Sequence, residues 1–160
     1  MTIKAGDRIP DVKVMQATEE GPKEVSTAEL FAGKTAVLFG VPGAFTPTCS
    51  AKHLPGYVQN ATALKGKGVE LVACMSVNDA FVMRAWGVDQ GIKDEVVLLG
   101  DGSAAFTKAL GLELDLTARG LGVRSQRFAL IAKDGVVTHV AVEAPGAFEV
   151  SKAETVLAAL

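Results

Sequence analysis

The chain has 160 residues, 49% of them hydrophobic and 21% charged, with a formal net charge of -2. That length suits one domain with a continuous apolar core, so a single domain over 1–160 is expected. With lysines and arginines scattered and no apolar run near the roughly 18 residues of a spanning helix, neither nucleic acid nor membrane is an expected partner. Residues 1–7 lack the apolar centre of a signal peptide, and a soluble cytoplasmic protein is the expectation.

In chain order, the first 30 residues predict a hairpin. Apolar runs bounded by turn signals then predict strands over 35–39, 69–75, 95–99, 128–132 and 136–142. Most of these runs lack polar alternation, which points to strands buried on both faces beneath helices. Between them, Leu54, Tyr57, Val58, Ala61 and Leu64 have helical spacing, as do Phe81, Val82, Ala85 and Trp86, and further helices are predicted over 104–110 and 151–160. Asn78 or Asp79 can cap the second helix, while Gly66 and Gly68 end the first. Lys133-Asp134-Gly135 closes a hairpin between the last two strands. The order predicts an α/β fold of thioredoxin-like wiring: a central mixed sheet with parallel core strands, flanking helices and an N-terminal hairpin extension.

Two cysteines cannot build a disulfide framework, and two histidines beside them do not make a metal-ligand set. No metal or cofactor is expected. Each cysteine is therefore an inert core residue or a reactive thiol. Cys49 follows Val41-Pro42-Gly43-Ala44-Phe45-Thr46-Pro47-Thr48, a loop leaving a buried strand and entering a helix, where open α/β sheets place ligands. Thr46 or Thr48 is a natural N-cap and Pro47 suits a first turn, which puts Cys49 beside unpaired backbone N–H groups. Those groups and the helix dipole favour a thiolate. A packing cysteine has no need of such a flank.

Pro42, Thr46 and Cys49 reproduce the pattern P-x-x-x-T-x-x-C, and the run from Val41 to Ser50 resembles the type II peroxiredoxins, the mammalian "five" group. Residues 76–86 and 124–128 extend the resemblance over nearly the whole chain. It implies a thiol peroxidase that reduces hydrogen peroxide and alkyl hydroperoxides, with peroxynitrite a further substrate, through Cys49 attack and a sulfenic acid. Thr46 would then position the peroxide and Pro42 would shield the sulfur. Backbone N–H groups around Ala44 to Cys49 would stabilise the leaving oxygen. Arg127 would favour the thiolate and donate to the peroxide. Arg124, three residues away on an extended strand, faces the opposite side, so only one of the two can reach Cys49.

Cys74 lies in an expected central strand, where burial disfavours its thiolate. Relatives make it a candidate resolving residue, through a Cys49–Cys74 disulfide. An external thiol, glutathione with glutaredoxin, is the favoured reductant, with thioredoxin the other partner to test. The resemblance also implies a homodimer, with Phe45, Phe81 and Trp86 as interface candidates. His53, one turn after Cys49, is read as a solvated or interface histidine, and His139 as an exposed strand residue. A thiol–disulfide oxidoreductase would need a cysteine at position 46. A non-catalytic thioredoxin-like binding or chaperone module would have no reason to keep Pro42, Thr46, Cys49 and Arg127 together.

Overall fold

Along β3 (Thr35–Gly40) successive side chains enter different cores. Val37 and Phe39 belong to one apolar cluster, Ala36 and Leu38 to the other, and all four have no exposed surface. β4 (Leu71–Ser76) and β8 (Phe128–Lys133) divide their residues in the same way. This explains the missing polar alternation: side chains alternate across the sheet, but helices cover both faces.

The computed structural model describes residues 1–160. β1 (Lys13–Thr18) and β2 (Gly21–Ser26) form the N-terminal hairpin, with β5 at Val97–Gly100 and β9 at Val136–Val142. The seven strands lie in the order β2-β1-β5-β4-β3-β8-β9. The β3–β4 and β4–β5 pairs are parallel and every other pair is antiparallel. Asp134 and Gly135, both at positive φ, close the β8–β9 hairpin as an Asp-Gly turn should.

One face is covered by α2 (Leu54–Gln59), α3 (Ala61–Gly66), α4 (Ala80–Asp89) and α6 (Ala153–Ala159), and its core contains Cys49. The other receives Phe31 from α1 (Thr27–Phe31) and Phe106 and Leu110 from α5 (Ala105–Leu110). Asp79 caps α4 through a hydrogen bond from Val82 N–H, leaving Asn78 for another task. The helix expected over 54–64 is two helices, because the chain leaves helical geometry at Asn60, whose amide returns to the Gly56 carbonyl. α5 starts one residue late, since Ala104 is left-handed and the Asp101 carboxylate takes the Phe106 and Thr107 N–H groups. A second hairpin, β6 (Glu113–Leu116) with β7 (Gly122–Ser125), has no counterpart in the strands predicted. Its half-exposed residues lack a continuous apolar run.

Gly40 ends β3 directly before the Cys49 loop. A Cβ there would sit 2.1 Å from Phe128 Cε1, and Phe128 is fully buried with nowhere to turn. Gly40→Ala should lower unfolding stability by about 1–3 kcal/mol through overpacking. Urea titration followed by Trp86 fluorescence checks this, and an unchanged midpoint would contradict the packing described.

Candidate active site

After β3 the loop turns at Phe45, which takes a positive φ of 65°, and helix begins at Pro47. Cys49 lies in this first turn, as its flank predicted. The turn is π-helical over Cys49–His53: Leu54 N–H reaches the Cys49 carbonyl, one residue further than in an α-helix. Cys49 and His53, four residues apart on one face, both point inward, and neither has exposed surface.

Two side chains converge on the sulfur. Thr46 Oγ1 lies 2.8 Å from Sγ and 2.7 Å from the Gly43 carbonyl. A hydroxyl has one proton, so it donates to one of these at a time. Neither Thr46 nor Thr48 caps the helix with its side chain; Thr46 aims its oxygen at the sulfur instead. Arg127, in the link between β7 and β8, donates from Nη2 to Sγ at 3.1 Å. Its position is set by strand pairing, since the next residue, Phe128, is in register with Gly40 at the start of the loop. Arg124 does not reach the sulfur, but it grips the same loop from outside, donating Nη1 to the Pro42 carbonyl at 3.3 Å. Pro42 itself is half-buried beside the site.

His53 is neither solvated nor at an interface, contrary to the sequence reading. That reading placed the ring beside Cys49 but facing outward; the turn instead packs that face inward against the sheet. Arg127 Nη1 lies 2.8 Å from Nδ1, and Nε2 lies 3.1 Å from the Ser151 carbonyl. A guanidinium only donates and a carbonyl only accepts, so Nδ1 is the bare acceptor and Nε2 carries the proton. Burial, with the Arg127 charge adding to it, pushes the His53 pKa down to about 3, against the opposing pull of the Ser151 carbonyl. The imidazole is therefore neutral at physiological pH. It packs between Phe39, tilted against it, and Phe148, edge-on to it, at ring-centroid distances of 4.8 and 5.1 Å.

The support continues behind it. Tyr57 Oη also donates to the Ser151 carbonyl, at 2.7 Å. Glu143 takes the Ser151 N–H and hydroxyl and the Glu149 N–H on one carboxylate oxygen. Burial raises the Glu143 pKa, but these hydrogen bonds outweigh it and leave the group below its ordinary value. No sequence motif marks Glu143 or Ser151; only their position in the fold joins them to the site.

The remaining expected residues separate. The Ala44 N–H is taken by Asn78 Oδ1 at 3.0 Å and that of Thr46 by the Gly43 carbonyl, so neither is free for a leaving oxygen. Cys74 is a free thiol with no exposed surface, paired in register with Phe39. Burial pushes its pKa well up, with neighbouring Cys49 adding and Arg127 opposing. Phe45 and Phe81 are 50% and 72% exposed. Trp86 is not an interface residue: it is fully buried and donates Nε1–H to Ser50 Oγ at 2.9 Å, pinning the π-turn next to Cys49. His139 is half-buried rather than exposed, and its Nε2 has no hydrogen-bond partner. No group of three or more His, Cys, Asp or Glu side chains is placed to hold a metal ion, and no helix is long and apolar enough to cross a membrane.

Comparison with known proteins agrees with this geometry. The Redoxin family model matches residues 4–157. The chain is 50% identical to Peroxiredoxin-2B of Arabidopsis thaliana, over 99% of this chain and 98% of the relative. It is 52% identical to the chloroplastic Peroxiredoxin-2E of the same plant, over 99% of this chain and 70% of the relative. The crystal structure of reduced Prx3 in complex with H2O2 from Vibrio vulnificus superposes with a TM-score of 0.94 at 56% identity, covering 99% of each chain. A thioredoxin-like sheet, a cysteine buried in the first turn of a helix and relatives matched from end to end lead to one conclusion: the chain belongs to the type II peroxiredoxins, and is a thiol peroxidase whose peroxidatic residue is Cys49.

Proposed function

We propose that Cys49 attacks the outer oxygen of hydrogen peroxide or an alkyl hydroperoxide. The S–O bond forms as the O–O bond breaks, giving a sulfenic acid and a hydroxide or alkoxide that leaves after taking a proton. The convergence of Thr46 Oγ1 and Arg127 Nη2 on one buried sulfur carries this reading. Both can donate to a peroxide oxygen lying against Sγ, so charge moving from sulfur to the leaving oxygen stays within their reach. Pro42 walls the pocket against water, and its carbonyl is held by Arg124. His53 positions Arg127: a neutral ring with its bare nitrogen towards Nη1 turns the guanidinium without competing for its charge.

The sulfenic acid is reduced by an external thiol, glutathione with glutaredoxin, rather than by Cys74. Cys74 is fully buried in β4 with a raised pKa, which makes it a slow attacker. Phe45 and Phe81, large and exposed, are the proposed core of a homodimer interface.

Arg127→Ala should slow peroxide reduction by about 10²–10³-fold, the usual cost of one lost charge-stabilising donor. Stopped-flow fluorescence of Trp86, whose indole is tied to Ser50, reads the step, and an unchanged rate would remove Arg127 from the chemistry. Cys74→Ser should keep glutathione-dependent turnover; abolished turnover would make Cys74 the resolving residue. A third expectation concerns acid. Folded His53 binds a proton only near pH 3, whereas the unfolded chain binds it near 6.5, so the unfolded state holds more protons between those values. Stability is thus retained above pH 6.5 and declines as pH falls towards 3. Urea unfolding at pH 7, 5.5 and 4.5 should show that decline in the wild type and a shallower one in His53→Gln, and parallel declines would contradict a buried neutral ring.

A further inference from the structure

A cavity of about 390 Å³ opens beside the peroxidatic turn. One wall is Ala51 and Lys52, on the turn that follows Cys49, with Gln59 at the end of α2; the other is Phe148, Lys152 and Glu154. Neither lysine is paired with a carboxylate, whereas Glu154 is steadied by the Asn60 amide at 3.2 Å. The cavity therefore presents two free cations and one fixed anion. Phe148 separates it from the reacting centre, its ring 5.9 Å from the Arg127 guanidinium carbon on one side and facing the cavity on the other.

We propose that this cavity binds the reducing thiol, and that its ligand is a small zwitterionic peptide with two carboxylates and one ammonium, the chemistry of glutathione. The assignment rests on the external-thiol reading above and gives it a place. Lys52 and Lys152 take the two carboxylates and Glu154 the ammonium, while the volume falls in the range usual for small-molecule sites. The thiol then lies next to Phe148. Cys49 has no exposed surface, so its sulfenic acid becomes reachable when the π-turn loosens and Phe148 swings aside. The peptide thiolate attacks the sulfenic sulfur, an S–S bond forms, the S–O bond breaks, and hydroxide leaves with a proton as water. Glutathione thus supplies the reducing electrons, and the product is a mixed disulfide on Cys49.

The test compares two thiols on pre-oxidised enzyme. Glutathione carries the charges the cavity would read, whereas 2-mercaptoethanol carries none. Lys52→Glu and Lys152→Glu should each lower the ratio of the glutathione rate constant to the 2-mercaptoethanol rate constant by about five-fold, the upper range for a surface ion pair. Lys133→Glu, the same charge change on an exposed residue at the end of β8, should leave the ratio as in the wild type. If wild-type enzyme reacts with glutathione but neither cavity variant alters the ratio, the cavity assignment is overturned and the external-thiol reading stands. If wild-type enzyme does not react with glutathione at all, that reading fails and the cavity assignment with it.

Discussion

Placing a reactive sulfur where it has no exposed surface is expensive for its charged form unless a partner of opposite charge reaches it. In this protein the partner is one guanidinium, 3.1 Å away, that itself comes from the link between β7 and β8. The rest of the site follows from having to hold that guanidinium still. An arginine side chain has about 2 kcal/mol of rotamer entropy to lose, so its direction must be enforced by contacts. His53 supplies the decisive one, and it can do so only while neutral.

Neutrality is secured by the surroundings of the ring rather than by the ring. Aromatic packing removes water and Arg127 repels a second positive charge, and together they outweigh the Ser151 carbonyl, which accepts the ring's single proton and pulls the other way. That carbonyl is fixed in turn, because Glu143 anchors the Ser151 backbone and hydroxyl and Tyr57 shares the same oxygen. A chain of contacts thus runs from the closing strand through the C-terminal loop to the sulfur. The loop segment near 148 is consequently both a support of the site and one wall of the adjacent cavity. Changes there are felt at Cys49 without touching it.

Much of this architecture was legible from residue order. The strands over 35–39, 128–132 and 136–142 were found to within a residue at each end, because two-sided burial leaves continuous apolar runs that turn residues bound sharply. The β6–β7 hairpin escaped, since a ribbon outside the main sheet with partly exposed faces has no such run. The single helix expected over 54–64 is broken where Asn60 leaves helical geometry, with both its backbone and side-chain N–H groups turned to the Gly56 carbonyl, a local change that hydrophobic spacing does not register. Trp86 was an interface candidate only through the family resemblance, and its burial depends on the α4 face turned towards Ser50.

The site divides along the same line. Pro42, Thr46 and Cys49 lie within eight residues on one loop, so their sequence pattern already determined that they share a place, and helix-start chemistry determined that the cysteine is the nucleophile. Arg127 was selected only by family resemblance; its approach to the sulfur depends on β3 and β8 pairing Gly40 with Phe128. The role of His53 was decided entirely by tertiary structure. Four residues after Cys49 it shares a helix face with the sulfur, and the packing of that face against Phe39, Phe148 and Arg127 makes it a buried partner rather than a solvated one. Local sequence determines which groups are chemically able to act. Pairing register and the packing of a single turn, which depend on residues distant in sequence, decide which of them meet.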